Sequence, residues 1–159
     1  MTIFYKTKEN LNNAQIESIE KYANLKFPSE YKIHLLKHNG GKCNPNVFQF
    51  IEDGELTESC LDTFLAIYGG QVDSLKQDVD TYKIDEKRLP LHILPIANDS
   101  GGNLICVSCS GDDNGSIYFW DHENEVDYST NSDSDYSNLF KVANSFNEFI
   151  DNLKEDLSL

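Results

Sequence analysis

Leu94-Pro95-Ile96-Ala97-Asn98-Asp99-Ser100-Gly101-Gly102-Asn103-Leu104-Ile105-Cys106-Val107-Ser108 and, after a polar break, Gly115-Ser116-Ile117-Tyr118-Phe119-Trp120-Asp121-His122 set the architecture of this chain. Ile93 to Ala97 is strand-like, residues 98–103 form a glycine turn, and Leu104 to Ser108 is a second strand. Asp113-Asn114-Gly115 is a hairpin turn, because Asn-Gly supplies two residues that accept φ > 0. The run that follows is rich in aromatic and β-branched residues and predicts a third strand. Three strands in a meander make a stable antiparallel sheet with one face to cover.

Val47-Phe48-Gln49-Phe50-Ile51 has strand character and is followed by the acidic turn Glu52-Asp53-Gly54-Glu55. Leu61 to Tyr68 is another apolar run, expected as a strand. Residues 71–83 predict a helix with Val72, Leu75, Val79 and Tyr82 facing inward, and Leu89-Pro90 and Leu94-Pro95 break any continuation. Nearer the N-terminus, Ile16, Ile19, Tyr22 and Ala23 recur at helical steps within 10–24, with Asn10, Asn12 or Asn13 as N-cap. A second helix over 28–38 starts at Pro28, carries Tyr31, Leu35 and Leu36 on one stripe, and ends at Asn39-Gly40-Gly41. A closing helix is expected over 144–156, capped by Asn144 or Ser145, with Phe146, Phe149, Ile150 and Leu153 on its apolar stripe. The polar, acidic, serine-rich stretch 123–138 is expected as an exposed loop.

The chain has 159 residues, enough for one domain over 1–159 with a real core. Its net charge of −14 is unevenly spread: residues 1–42 carry a local +3 and residues 43–159 a local −17. From Leu89 to Phe140 there is no lysine or arginine, yet there are nine carboxylates. Such a surface repels nucleic acid and anionic membrane and attracts basic proteins. Met1-Thr2-Ile3-Phe4-Tyr5-Lys6 lacks the basic and apolar regions of a signal peptide, and no apolar run approaches the roughly 18 residues of a membrane span. The expectation is a cytoplasmic protein with Cys43, Cys60, Cys106 and Cys109 reduced and buried.

Tests for chemistry end without a catalytic set. Cys106 and Cys109 have C-x-x-C spacing but lie in a strand-like run, where residues i and i+3 face opposite sides, so no metal or redox site is expected. His34 and His38 stand at i, i+4, but Leu35 replaces the glutamate of a zincin motif, and both are expected on a partly solvated helix face. Asp99-Ser100-Gly101-Gly102 is similar to a protease nucleophile motif, yet the chain has no second barrel or upstream histidine motif, so a tight turn is expected. Asn131-Ser132-Asp133-Ser134-Asp135 is similar to the start of a calcium loop, but Tyr136 replaces its glycine and Val142 its glutamate. Neither a Walker loop nor a dinucleotide fingerprint is present. The expectation is no enzyme activity and no cofactor.

Four blocks in order resemble a known family. They are Phe27-Pro28-Ser29-Glu30-Tyr31 with Leu35-Leu36 and Asn39-Gly40-Gly41; Leu94 to Cys106; Gly115 to His122; and Phe146-Asn147-Glu148-Phe149-Ile150. Together they resemble the SUKH superfamily, which includes the fungal Smi/Knr cell-wall regulators and many bacterial toxin-immunity proteins. The resemblance implies an α+β fold; with the elements above, that is an antiparallel β-sheet meander with two N-terminal helices, one middle helix and one C-terminal helix packed on it. It also implies a non-catalytic protein that binds and neutralises a cognate polymorphic or contact-dependent toxin, often a nuclease. The alternative it carries is a regulatory or scaffolding protein-interaction module. The matched residues do not identify a binding face. On the electrostatic reading, Asp112, Asp113, Asp121, Glu123, Glu125 and Asp127 are the expected acidic contacts to a basic toxin.

Overall fold

Side-chain alternation along the central strands explains the centre of the molecule. The computed structural model describes residues 1–156. Six strands form one antiparallel sheet in sequence order: β3 (Val47–Glu52), β4 (Glu55–Phe64), β5 (Ile93–Asp99), β6 (Leu104–Ser108), β7 (Ile117–Trp120) and β8 (Leu139–Ala143). A separate ribbon pairs β1 (Ile3–Tyr5) with β2 (Lys42–Asn44). The helices are α1 (Asn13–Ala23), α2 (Ser29–Lys37), α3 (Leu75–Asp78), which runs on as a π-helical turn Val79–Asp85, and α4 (Phe146–Asp151). The expected meander with helices before, within and after it is therefore observed, and its three predicted strands are the middle of a longer one.

Both faces of that sheet are buried. Ile105, Val107, Ile117 and Phe119 point to one side, where Ile16 and Ile19 of α1, Tyr31 and Leu35 of α2, and Phe146 and Phe149 of α4 complete the main core. The alternate residues Leu104, Cys106, Tyr118 and Trp120 point to the other side and form a second core with Leu89, Ile93 and Leu139. Tyr82 from the π-helical turn and Tyr136 pack against this second core. The single covered face expected from the sequence is thus corrected to two. The stretch 123–138, expected as an exposed loop, supplies part of the second cover: Val126 and Asn138 are buried, and Tyr128 N donates to Lys87 O at 3.0 Å. Its apolar residues are few and follow no period, so composition alone reads as loop.

The sheet coils until its edges approach. Phe50 of β3 stacks on Phe119 of β7 at 4.4 Å and lies 6.0 Å from Phe140 of β8. At the N-terminus Asn12 and Gln15 form a reciprocal capping box, with both bonds at 2.9 Å. Glu20 Oε2 then accepts from Phe27 N at 2.7 Å and joins α1 to the start of α2.

Further details depart from expectation: β4 runs from Glu55 to Phe64 rather than over Leu61 to Tyr68, because it pairs back along β3, and Tyr22 of α1 is exposed rather than inward. Val72 is 74% exposed, because the helix starts at Leu75 behind the Ser74 cap. The closing helix ends at Asp151, leaving Leu153 buried beyond it. Asn114 does not adopt positive φ; Gly111 and Gly115 do, at +84° and +90°, which makes the β6–β7 connection a longer loop than an Asn-Gly hairpin. His34 is buried, at 9% exposure, rather than partly solvated. Its ring lies 4.7 to 5.3 Å from those of Phe4, Phe64 and Phe146.

That last placement carries a pH dependence. Burial, with help from His38 and Lys37, pushes the His34 imidazole down from 6.5 to about 3. The unfolded chain binds this proton below 6.5 and the folded chain does not until about 3. The neutral ring's contribution is therefore complete above the higher value and is lost as pH falls toward the lower one, at up to about 1.4 kcal/mol per pH unit. His34→Phe keeps an aromatic ring in place and removes the titration. Urea midpoints at about pH 7 and about pH 5 should fall further for the wild type than for the variant, and equal falls would rule out this role.

Candidate functional site

The six acidic residues expected as contacts lie on three segments of the chain. Asp112 and Asp113 lie in the β6–β7 loop, whereas Asp121 and Glu123 lie just beyond β7, so the strand separates the two pairs. Glu125 and Asp127 belong to the covering stretch that follows.

Local geometry gives each carboxylate a different role. The loop after β6 doubles back through Gly115 N to Ser108 O at 2.8 Å and Ser116 N to Asp113 O at 2.9 Å. This turns the Asp113 carboxylate onto the sheet. It accepts from Ser108 Oγ at 2.7 Å, Tyr118 OH at 2.7 Å and Tyr136 OH at 2.8 Å. Burial raises its pKa, but the bonds from Ser108, Tyr118 and Tyr136, with His92 nearby, outweigh burial and hold it below the usual value. Tyr136 OH also meets His92 Nε2. Asp112, one residue earlier, is exposed and makes no hydrogen bond or ion pair among the described residues.

At the other end of β7, Asp121 is 9% exposed and caps a short 3-10 turn, accepting from Glu123 N at 2.9 Å and Asn124 Nδ2 at 2.7 Å. Glu52 lies close enough that burial first, then Asp121, Asp53 and Glu123, raise its carboxyl pKa. Glu125 pairs with Arg88, whose guanidinium sits 4.7 Å over Tyr82 and 5.1 Å over Trp120. Asp127 accepts from Ser129 N and Oγ at 2.9 and 2.6 Å, and these bonds lower its pKa. Asp112, Glu123 and Asp127 are thus the open charges, Glu125 is exposed but paired, and Asp113 and Asp121 hold the fold together.

The structure also gathers residues that spacing in the sequence did not. His92, Ser110, Asp112, Asp113, Asp133 and Tyr136 line a hollow of about 490 Å³ between the β6–β7 loop and the covering stretch. Asp133 Oδ1 accepts from Leu91 N at 3.0 Å and fixes one wall. Asp133 lies 20 residues from Asp113 in a polar run, so no local pattern links the two.

The remaining motifs resolve as structure. Asp99 accepts from Gly101 N and Asn103 N at 2.9 Å each and from Ser59 Oγ at 2.9 Å, which makes Asp99-Ser100-Gly101-Gly102 the expected tight turn. Cys106 belongs to the second core and Cys109 to the main one, so the two thiols diverge, and burial pushes Cys109 up to about 12. Cys43 is buried like these two, as expected, whereas Cys60 is only half-buried.

Comparison with known proteins places this fold in a family. A SUKH family model described as SMI1-KNR4 cell-wall matches residues 13–150, from the start of α1 into α4, and so covers the whole hollow. The SPbeta prophage-derived uncharacterized protein YokK of Bacillus subtilis (strain 168) is 34% identical over 158 residues, covering 91% of this chain and 75% of that protein. Among the described residues no helix is long and apolar enough to cross a membrane. The chain belongs to the SUKH superfamily of SMI1-KNR4-like proteins, a group that includes toxin-immunity proteins.

Proposed function

We propose that this is an immunity protein of the cytoplasm, which binds and blocks a cognate basic toxin without chemistry, metal or cofactor of its own. The observation that carries the reading is the set of open carboxylates at Asp112, Glu123 and Asp127 on a doubly covered sheet, in a chain of net charge −14. Nuclease toxins present basic clefts to phosphate, so an acidic partner is steered onto them and then held by specific contacts. The family description favours a second reading, a regulatory or scaffolding module, because it names SMI1-KNR4 cell-wall proteins.

Co-expression with the product of the neighbouring gene separates the two. An immunity protein restores growth of cells poisoned by that product, and failure to do so counts for the scaffold. Charge reversal of Asp112, Glu123, Glu125 and Asp127 together should slow association with the toxin by about tenfold or more at low salt and flatten its salt dependence. Unchanged association would show that these residues are not the contacts.

A further inference from the structure

The acidic hollow has an apolar neighbour. Leu91 and Ile84, 72% and 48% exposed, line with Leu25 and Val79 a second hollow of about 270 Å³ beside the end of α1. His92 and Ser110 line both, so the two hollows adjoin, one apolar and one carboxylate-lined, as the two halves of a groove. Large exposed aliphatic side chains grouped at a concave site mark an interaction surface.

The charges in the groove are arranged for a cation. Lys83 also lines it, but its ammonium donates to the carbonyls of Pro90, Leu91 and Ile93 at 3.0, 2.8 and 2.8 Å and is turned into the fold. Asp112 has no partner among the described residues, and Asp133 has one oxygen engaged by Leu91 N. That bond ties the halves together: the Asp133 carboxylate of one is anchored on the backbone of Leu91, whose exposed side chain lines the other.

We infer that the groove receives an extended segment of a basic protein partner. One apolar side chain of the segment seats against Leu25, Ile84 and Leu91. A lysine or arginine two residues along, the spacing at which an extended chain repeats a face, reaches Asp112 and Asp133. The inference rests on the proposed binding role in taking the partner to be a basic protein, and it adds the groove and the paired apolar and basic recognition.

Titration of the ¹⁵N-labelled full chain with the peptide Ac-Ser-Leu-Ser-Arg-Ser-amide tests this without the toxin. The expected result is amide shifts at Leu25, Ile84, Leu91, Ser110 and Asp112, lost when the peptide's leucine becomes serine or its arginine becomes glutamate. The shifts should also be lost in the Leu91→Ser, Asp112→Lys variant, which alters only exposed side chains. Shifts spread over all acidic surfaces, or none, overturn the inference. Groove amides that move on dilution of the free chain overturn it too, because they make a second copy of the chain the occupant. Co-expression distinguishes the two levels of argument. If the wild type protects against the toxin and the double variant protects equally, the groove fails and immunity stands. If the wild type does not protect, immunity fails and the peptide titration still judges the groove.

Discussion

Trp120→Ala is expected to destabilise the protein by about 3–5 kcal/mol, a large share of the 5–15 kcal/mol that holds a typical domain folded. The indole is fully buried on β7 and faces the second core, away from the helices that cover the main one. Tyr82 meets it edge-on at 5.5 Å and the Arg88 guanidinium lies 5.1 Å over its ring. Truncation removes the largest side chain of that core and leaves Leu104, Cys106 and Leu139 facing a void. Trp120→Phe should cost less, about 1–2 kcal/mol, because a ring remains for Tyr82 and Arg88. It also removes an indole N–H that has no hydrogen-bond partner among the described residues. Urea unfolding gives both values from the midpoint at constant slope. A loss below about 1 kcal/mol for the alanine variant would show that the second face is a loose cover rather than a core.

That second core was written in the sequence, though in a form that three-strand reasoning passes over. A strand covered on one face alternates, whereas Leu104-Ile105-Cys106-Val107 and Ile117-Tyr118-Phe119-Trp120 are unbroken apolar runs, the mark of strands buried on both sides. The central strands were legible because glycine turns bound them. β8 was not, since Leu139-Phe140-Lys141-Val142-Ala143 carries a lysine, follows a polar run and is strand only because Trp120 and Phe119 pair with Leu139 and Phe140. β1 and β2 are three residues each and are likewise made by their pairing. His34 reads as an ordinary polar residue on a helix until β1 and α4 bring Phe4 and Phe146 against it.

The candidate site divides the same way. Composition shows a base-free acidic stretch, but not which carboxylates face solvent. Asp112 and Asp113 are indistinguishable as sequence, and their difference depends on Tyr136, 23 residues away. Leu91 and Ile84 would pass for core residues in any apolar count, and only the folded surface shows them exposed along one hollow.

Asp113→Ala is the second large effect, expected at about 2–4 kcal/mol, against a change within about 0.5 kcal/mol for Asp112→Asn next to it. Asp113 accepts three hydroxyl bonds that tie β6, β7 and the covering stretch together at one carboxylate. Bonds to a charged group are worth about 1.5–3 kcal/mol each, less what the freed hydroxyls regain from water at this half-buried site. Asp113→Asn keeps an acceptor but loses the charge, and should fall between the two. The pH dependence has a fixed sign: the folded carboxyl titrates below its usual value, so its contribution is present above the unfolded pKa and is lost as pH falls through the folded one. Stability of the alanine variant should therefore decline less in acid than that of the wild type. Urea midpoints for the wild type and the three variants at about pH 7 and about pH 3 check both claims, and equal losses for Asp113→Ala and Asp112→Asn would remove the structural role. The pair also calibrates any binding study. A toxin-binding defect in Asp113→Ala is ambiguous because the groove wall itself depends on that residue, whereas a defect in Asp112→Asn, with stability unchanged, reports contact alone.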